Sequence, residues 1–231
     1  MDLRNHFDLA HLLGHPPFDH MASAIAVYEE ANLKRLFSPD QHHPGHWMFR
    51  GADVEGLRRL ELRHCIYAVV MYQAMMEKIP YFMPTMGKNF KATASLEFKG
   101  SWMAMLAQIP NQADKQSAIG AFERYHADIY VAMRNPIVHG RKQVDIDNVN
   151  RIRMPAVHAG MRSGWAAYDA LLTAAFAPDQ VHQPSWSVMC ESHSVPVELD
   201  PQDYPDLMEL SAQYNRRHLD WCNKLGGAGA A

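Results

Sequence analysis

Between residues 112 and 134, Ile119, Phe122, Ile129, Tyr130 and Met133 fall on one stripe at helical spacing. The same period returns along most of the chain. Residues 21–37 carry Ile25, Tyr28 and Leu36; residues 53–78 carry Leu57, Leu60, Ile66, Val69, Val70 and Met76 and end before "IPYFMP". Phe98, Trp102 and Leu106 mark a shorter helix over 97–108. Val149, Ile152, Val157, Met161, Trp165, Tyr168 and Leu172 mark a helix over 148–176, with Pro155 in its first two turns, where a proline costs least. Leu207, Leu210, Tyr214 and Trp221 mark a last helix over about 203–224. Each stripe must bury its face against another, so the expected fold is all-α: an up-and-down bundle of four to six helices.

The connections are expected to differ in kind. Residues 79–100 hold prolines, glycines and lysines and read as a loop. After Ala177 the chain turns proline-rich, and "SWSVMC" and "VPVEL" predict an irregular or β-hairpin excursion near 180–200. The end, "GGAGAA", is expected to fray. At 231 residues the chain is read as one domain, with a core over about 50–176 and an irregular segment and terminal helix over 177–231.

Composition narrows the function classes. Fifteen Met suit a helical core filled by adaptable side chains. No stretch approaches eighteen uninterrupted apolar residues, so no membrane span is expected. "MDLRNHFDLAHLLGHPPF" is too polar for a signal peptide. The three cysteines form no CxxC pair, which fits reduced thiols and a cytoplasmic location. The net charge of −3 rules out a protein coated in positive charge. Its distribution is uneven: residues 124–162 hold seven Arg or Lys against three acids, whereas 163–215 hold eight acids and no Arg or Lys. A phosphate-bearing ligand would be drawn to the first region, where Arg141, Lys142, Arg151 and Arg153 are the candidate nucleic-acid contacts.

That region contains "VAMRNPIVHGRK", residues 131–142. Pro136 predicts a kink or stop near Asn135, because proline lacks an N–H and disfavours helical backbone before it. In an unbroken helix, residues 134 and 139 face about 140° apart; a break would let both side chains enter one pocket. Arg134 can hold a phosphate through two N–H groups, His139 can move a proton near neutral pH, and Asn135 can orient either. Such a set suits attack by an RNA 2′-hydroxyl on the adjacent phosphate without a metal or other cofactor. Spacing alone decides nothing: with 14 Arg and 14 His, about one R-x4-H pair is expected by chance, and there are three, Arg59/His64, Arg134/His139 and Arg153/His158. Only the second has Asn next, an expected helix break between and Gly after.

"RNPIVHG" at the end of an amphipathic helix, with a long helix following, resembles the HEPN superfamily and its R-x4-6-H signature. The resemblance implies a helical bundle whose protomers form a homodimer and face their motifs across a shared cleft. It also implies a metal-independent endoribonuclease of toxin–antitoxin or defence systems, with RNA as substrate and an antitoxin protein as partner. Carried over, Arg134 contacts phosphate, Asn135 is the polar motif residue and His139 transfers the proton. The motif covers seven residues and the helix order extends the likeness over about 50–176; the rest of the chain matches nothing in that family. Other members keep the fold without activity, so the alternative is a non-catalytic interaction module in which Arg134 and His139 cap a helix end and the acidic 163–215 segment docks a basic partner.

No metal site is expected. His42, His43 and His46, the pair His11/His15, and Cys190 with His193 have partial ligand spacing but lie in no recognisable partner pattern. Lys88, Lys91 and Lys99 read as a solvated loop.

Overall fold

A computed structural model describes residues 3–31, 37–39, 47–49, 54–86, 97–176 and 185–228. Its α-helices are α1 (Leu3–Ala31), α2 (Val54–Met86), α3 (Phe98–Leu106), α4 (Gln112–Tyr125), α5 (Asn135–His139), α6 (Gln143–Asn150), α7 (Met154–Ala175), α8 (Trp186–Ser192) and α9 (Leu207–Ala228). A π-helical segment, His126–Arg134, joins α4 to α5. The fold is all-α, as the apolar stripes require. The strands among the described residues are two three-residue pieces, β1 (Phe37–Pro39) and β2 (Trp47–Phe49), paired antiparallel with Phe37 opposite Phe49.

Four long helices form the bundle. α1 runs antiparallel to α2, with Gly14 beside Met75 and His20 beside His64. α4 and the π-segment run antiparallel to α7, with Tyr125 at Gly164 and Ile129 at Gly160. That contact depends on glycine, because a Cβ at Gly160 would stand 2.5 Å from Ile129 Cγ1. Between them lies a core of Tyr72, Met76, Trp102, Phe122, Tyr125 and Leu171, all essentially inaccessible. Trp102 Nε1 donates to Met76 O at 2.9 Å and Tyr72 Oη donates to Met161 O at 2.7 Å, while the buried Trp165 Nε1 has no partner among the described residues.

Several expected boundaries are corrected. α1 begins at Leu3 and carries Pro16 and Pro17 within it, and α2 runs to Met86 through Pro80 and Pro84 instead of ending near 78. Packing against the bundle holds these turns despite the missing N–H groups. The rest of the expected 79–100 loop up to residue 96, with Lys88 and Lys91, lies outside the described residues. The helix expected from 148 is two: α6 ends at Asn150, and α7 starts at Met154 with Pro155 in its first turn. No hairpin forms over 185–200; "WSVMC" is the start of α8. Ser185 caps it by accepting from Val188 N–H, and its inner face buries Met189 and Cys190. The last helix extends through Gly226, Gly227 and Ala228, and the final three residues lie outside the description.

His158 is buried under α8, its ring edge-on to Trp186 at 5.2 Å and its Nε2 donating to Pro196 O at 2.9 Å. Burial lowers its pKa below the ordinary 6.5, and burial lowers those of His64 and His126 as well. The unfolded chain then binds protons more readily than the fold. Stability contributed by the neutral rings is present above 6.5 and is lost as pH falls through and below it. The thermal midpoint is expected to drop between about pH 7 and about pH 5, and His158→Gln, which keeps a donor without titrating, should show a smaller drop.

Candidate functional site

The helix from Gln112 is started by Asn111, whose Oδ1 accepts from Ala113 N–H at 2.9 Å and Asp114 N–H at 3.3 Å. It does not stop before the proline. Arg134 and Asn135 both keep helical backbone, φ −62° and ψ −45°, and φ −63° and ψ −45°. The expected break near Asn135 is therefore absent, and the register changes instead. Over His126–Arg134 the helix is π-wide, and Asn135 N–H bonds Tyr130 O, five residues back. The wide turn moves upstream carbonyls away from the Pro136 ring, which an α-register would drive into the residue four before it. The helix then closes at His139, where Gly140 N–H donates to Pro136 O at 2.9 Å. Only glycine fits there: a Cβ on Gly140 would stand 2.2 Å from Pro136 O and 2.9 Å from Asp145 Cβ. Asp145 Oδ2 holds the following turn by accepting from the Arg141 and Lys142 backbone N–H groups at 3.2 Å each.

Arg134 and His139 meet without the break. Arg134 Nη1 lies 2.9 Å from His139 Nε2 and donates to Asn135 Oδ1 at 3.2 Å. The long arginine side chain spans what helix rotation separates. Its guanidinium carbon sits 5.3 Å from the centre of the Tyr130 ring, which itself stacks on Phe98 at 4.9 Å and His126 at 5.0 Å. Arg134 is mostly covered; His139 is exposed. All three motif residues thus converge at one solvent-facing point.

The other two R-x4-H pairs do not. Arg59 pairs with Glu55 at 2.7 Å, while His64 faces His20 at 3.4 Å. Arg153 is bound into a buried cluster with Glu61 at 3.3 Å and Asp206 at 3.0 Å, and His158 is the buried ring described above. Arg153 is thereby engaged in holding the fold and is not presented for phosphate, unlike the exposed Arg141, Lys142 and Arg151.

Beside the motif an open cleft of about 250 Å³ is lined by Ile66, Pro136, Ile137, Gly140, Ile146 and Val149, among others. Val138, Val144 and Ile146 around it are about half exposed. Sequence reasoning missed Glu77, whose Oε1 stands 3.6 Å from Arg134 Nη2. Its signal was weak, since it lies on a helix far away in sequence with no motif of its own.

Among the described residues no group of three or more His, Cys, Asp or Glu is placed to hold a metal ion. His42, His43 and His46 fall outside the described residues; His15 Nδ1 lies 2.8 Å from His193 Nε2. No described helix is long and apolar enough to cross a membrane. No protein-family model, curated protein or solved structure matches the chain.

Proposed function

We propose that the chain is a HEPN-like, metal-independent endoribonuclease acting in the cytoplasm as a toxin or defence effector. The observation that carries this reading is the contact between Arg134 and His139, the one R-x4-H pair of three whose members touch each other, with the histidine exposed. In the proposed reaction a ribose 2′-oxygen attacks the adjacent phosphorus while His139 takes its proton. The 2′-O–P bond forms, the P–O5′ bond breaks, and the leaving 5′-oxygen takes a proton from the imidazolium, which returns His139 to its neutral form. The products are a 2′,3′-cyclic phosphate and a 5′-hydroxyl. The Arg134 guanidinium steadies the charge that builds on the phosphoryl oxygens, and Asn135 orients the guanidinium through Oδ1. Arg141, Lys142 and Arg151 extend the positive surface for the RNA backbone. Incubation with mixed RNA in EDTA tests the reading; intact RNA would sink it.

A homodimer belongs to this proposal. One Arg and one His make a sparse site, and a two-fold axis near 134–139 would supply two of each. Met133 and Ile152 belong to the core of their own chain, so the apolar surround would come from the exposed Val138, Val144 and Ile146 and the cleft beside them. Light scattering at micromolar concentration should give twice the 26.2 kDa chain mass; a monomer throughout refutes the composite site. An antitoxin protein, where one exists, would act by covering this face.

One observation favours the non-catalytic alternative. The guanidinium of Arg134 is already filled by Glu77, Asn135 and His139, as a purely structural cap would be. An Arg134→Ala variant that unfolds, in place of one that stays folded and inactive, would decide for it.

A further inference from the structure

The motif is tied to the core by a line of polar side chains. Tyr125 Oη, fully buried, donates to Gln73 Oε1. Gln73 Nε2, also buried, donates to Glu77 Oε1 at 3.0 Å. That same oxygen faces Arg134 Nη2 at 3.6 Å, and Arg134 Nη1 faces His139 Nε2 at 2.9 Å. The direction of each link follows from donor chemistry. Burial, with Tyr72 and Glu77 close by, holds the Tyr125 phenol well above its ordinary pKa, so it stays protonated and donates. Its bond fixes the Gln73 amide with Nε2 towards Glu77. Arginine has five donors and no acceptor, so at the far end His139 Nε2 must be the acceptor and the ring proton must sit on Nδ1.

We infer that Glu77, anchored by Gln73 and Tyr125, is a positioning residue: it holds Arg134, and through Arg134 it holds His139 as the Nδ1–H tautomer, whose Nε2 lone pair is released to accept a proton when a phosphate draws the guanidinium away. This inference deepens the ribonuclease reading and rests on it for its catalytic consequence. Glu77 is about 40% exposed, so it is no core residue, and its carboxylate lies where an incoming phosphate would compete for the same guanidinium. The line therefore does two things. It orients the base before substrate arrives, and it offers Arg134 an anionic partner that a phosphate can replace.

The test compares the wild type with Glu77→Gln, which keeps the shape and removes the charge. Long-range ¹⁵N–¹H spectra assigned by a His139→Gln control report the tautomer directly. The wild type should show His139 with its proton on Nδ1, and Glu77→Gln should move population to the Nε2–H form that free imidazole side chains prefer. In RNA cleavage kcat should fall about ten- to a hundredfold, the size of one bond to a charged group, while KM does not rise, because Arg134 has lost a competitor for phosphate. A general loss of folded protein would lower kcat without moving the tautomer of the folded fraction. A wild type that carries the proton on Nε2, or a variant that keeps it on Nδ1, overturns the positioning role whether or not RNA is cleaved. A tautomer that shifts with kcat unchanged overturns its catalytic consequence. A wild type that shows the expected tautomer but cuts no RNA refutes the ribonuclease reading alone.

Discussion

His139→Ala should leave the chain folded and lower the rate of RNA cleavage about a hundred- to ten-thousandfold, the range of a positioned proton-transfer group. His139 is exposed, and its side chain meets Arg134. Its removal should therefore change unfolding free energy by no more than about 0.5 kcal/mol. Arg134→Ala should lose about a hundred- to a thousandfold, the range for deleting one donor to a developing oxyanion. Cleavage time courses and chemical denaturation of the same preparations separate the two quantities. Equal cleavage by both variants and the wild type would mean that a contaminant or another site cuts the RNA.

The largest stability effect is expected far from the motif, at Glu61. This carboxylate is fully buried, yet both its oxygens are engaged. Oε2 accepts from Arg58 Nη1 at 3.0 Å; Oε1 accepts from Arg153 Nε at 3.3 Å and from Met154 N–H at 3.1 Å, in the first turn of α7. Arg58 Nη2 continues to Asn150 O and Ile152 O, 2.7 Å each, and Arg153 Nη2 to Tyr28 Oη at 3.0 Å and Tyr204 O at 2.9 Å. Arg153 Nη1 meets Asp206 Oδ2 at 3.0 Å. One carboxylate thus ties α1, α2, the turn before α7 and the segment leading into α9. Glu61→Ala leaves the buried Arg58 without its counter-charge and Arg153 with Asp206 alone, and breaking a buried pair in this way costs about 3–5 kcal/mol. Against a typical total of about 5–15 kcal/mol, urea unfolding should show a large shift of midpoint. A change below about 1 kcal/mol would mean that water takes over the role of Glu61.

How far the sequence could be read depended on the kind of signal. Apolar period identified the long helices, because a stripe such as Ile119, Phe122, Ile129 and Met133 has to be covered by something. Prolines misled the reading twice. Pro80 and Pro84 were expected to limit a helix that packing carries through them, and Pro136 was expected to break a helix that instead widens to π-register. No local propensity reveals such a widening, in which Asn135 N–H reaches Tyr130 O five residues back. "SWSVMC" alternates like a strand, but the Ser185 cap and the Met189 and Cys190 pair inside made it helical. At the candidate site Arg134, Asn135 and His139 were legible as a motif, and the structure brings them together. Arg153 was grouped with the phosphate-facing cations by local charge; its partners Glu61 and Asp206 lie 92 and 53 positions away, beyond any local count. Glu77 was illegible for the same reason.

The central claim is that Arg134 and His139 carry out RNA cleavage through the 2′-hydroxyl. It is tested most directly by the end groups of RNA cut by the pure protein in EDTA. Fragments ending in a 2′,3′-cyclic phosphate, with 5′-hydroxyl partners, are predicted from the wild type and not from His139→Ala. Intact RNA, or fragments with 3′-hydroxyl and 5′-phosphate ends, would contradict it.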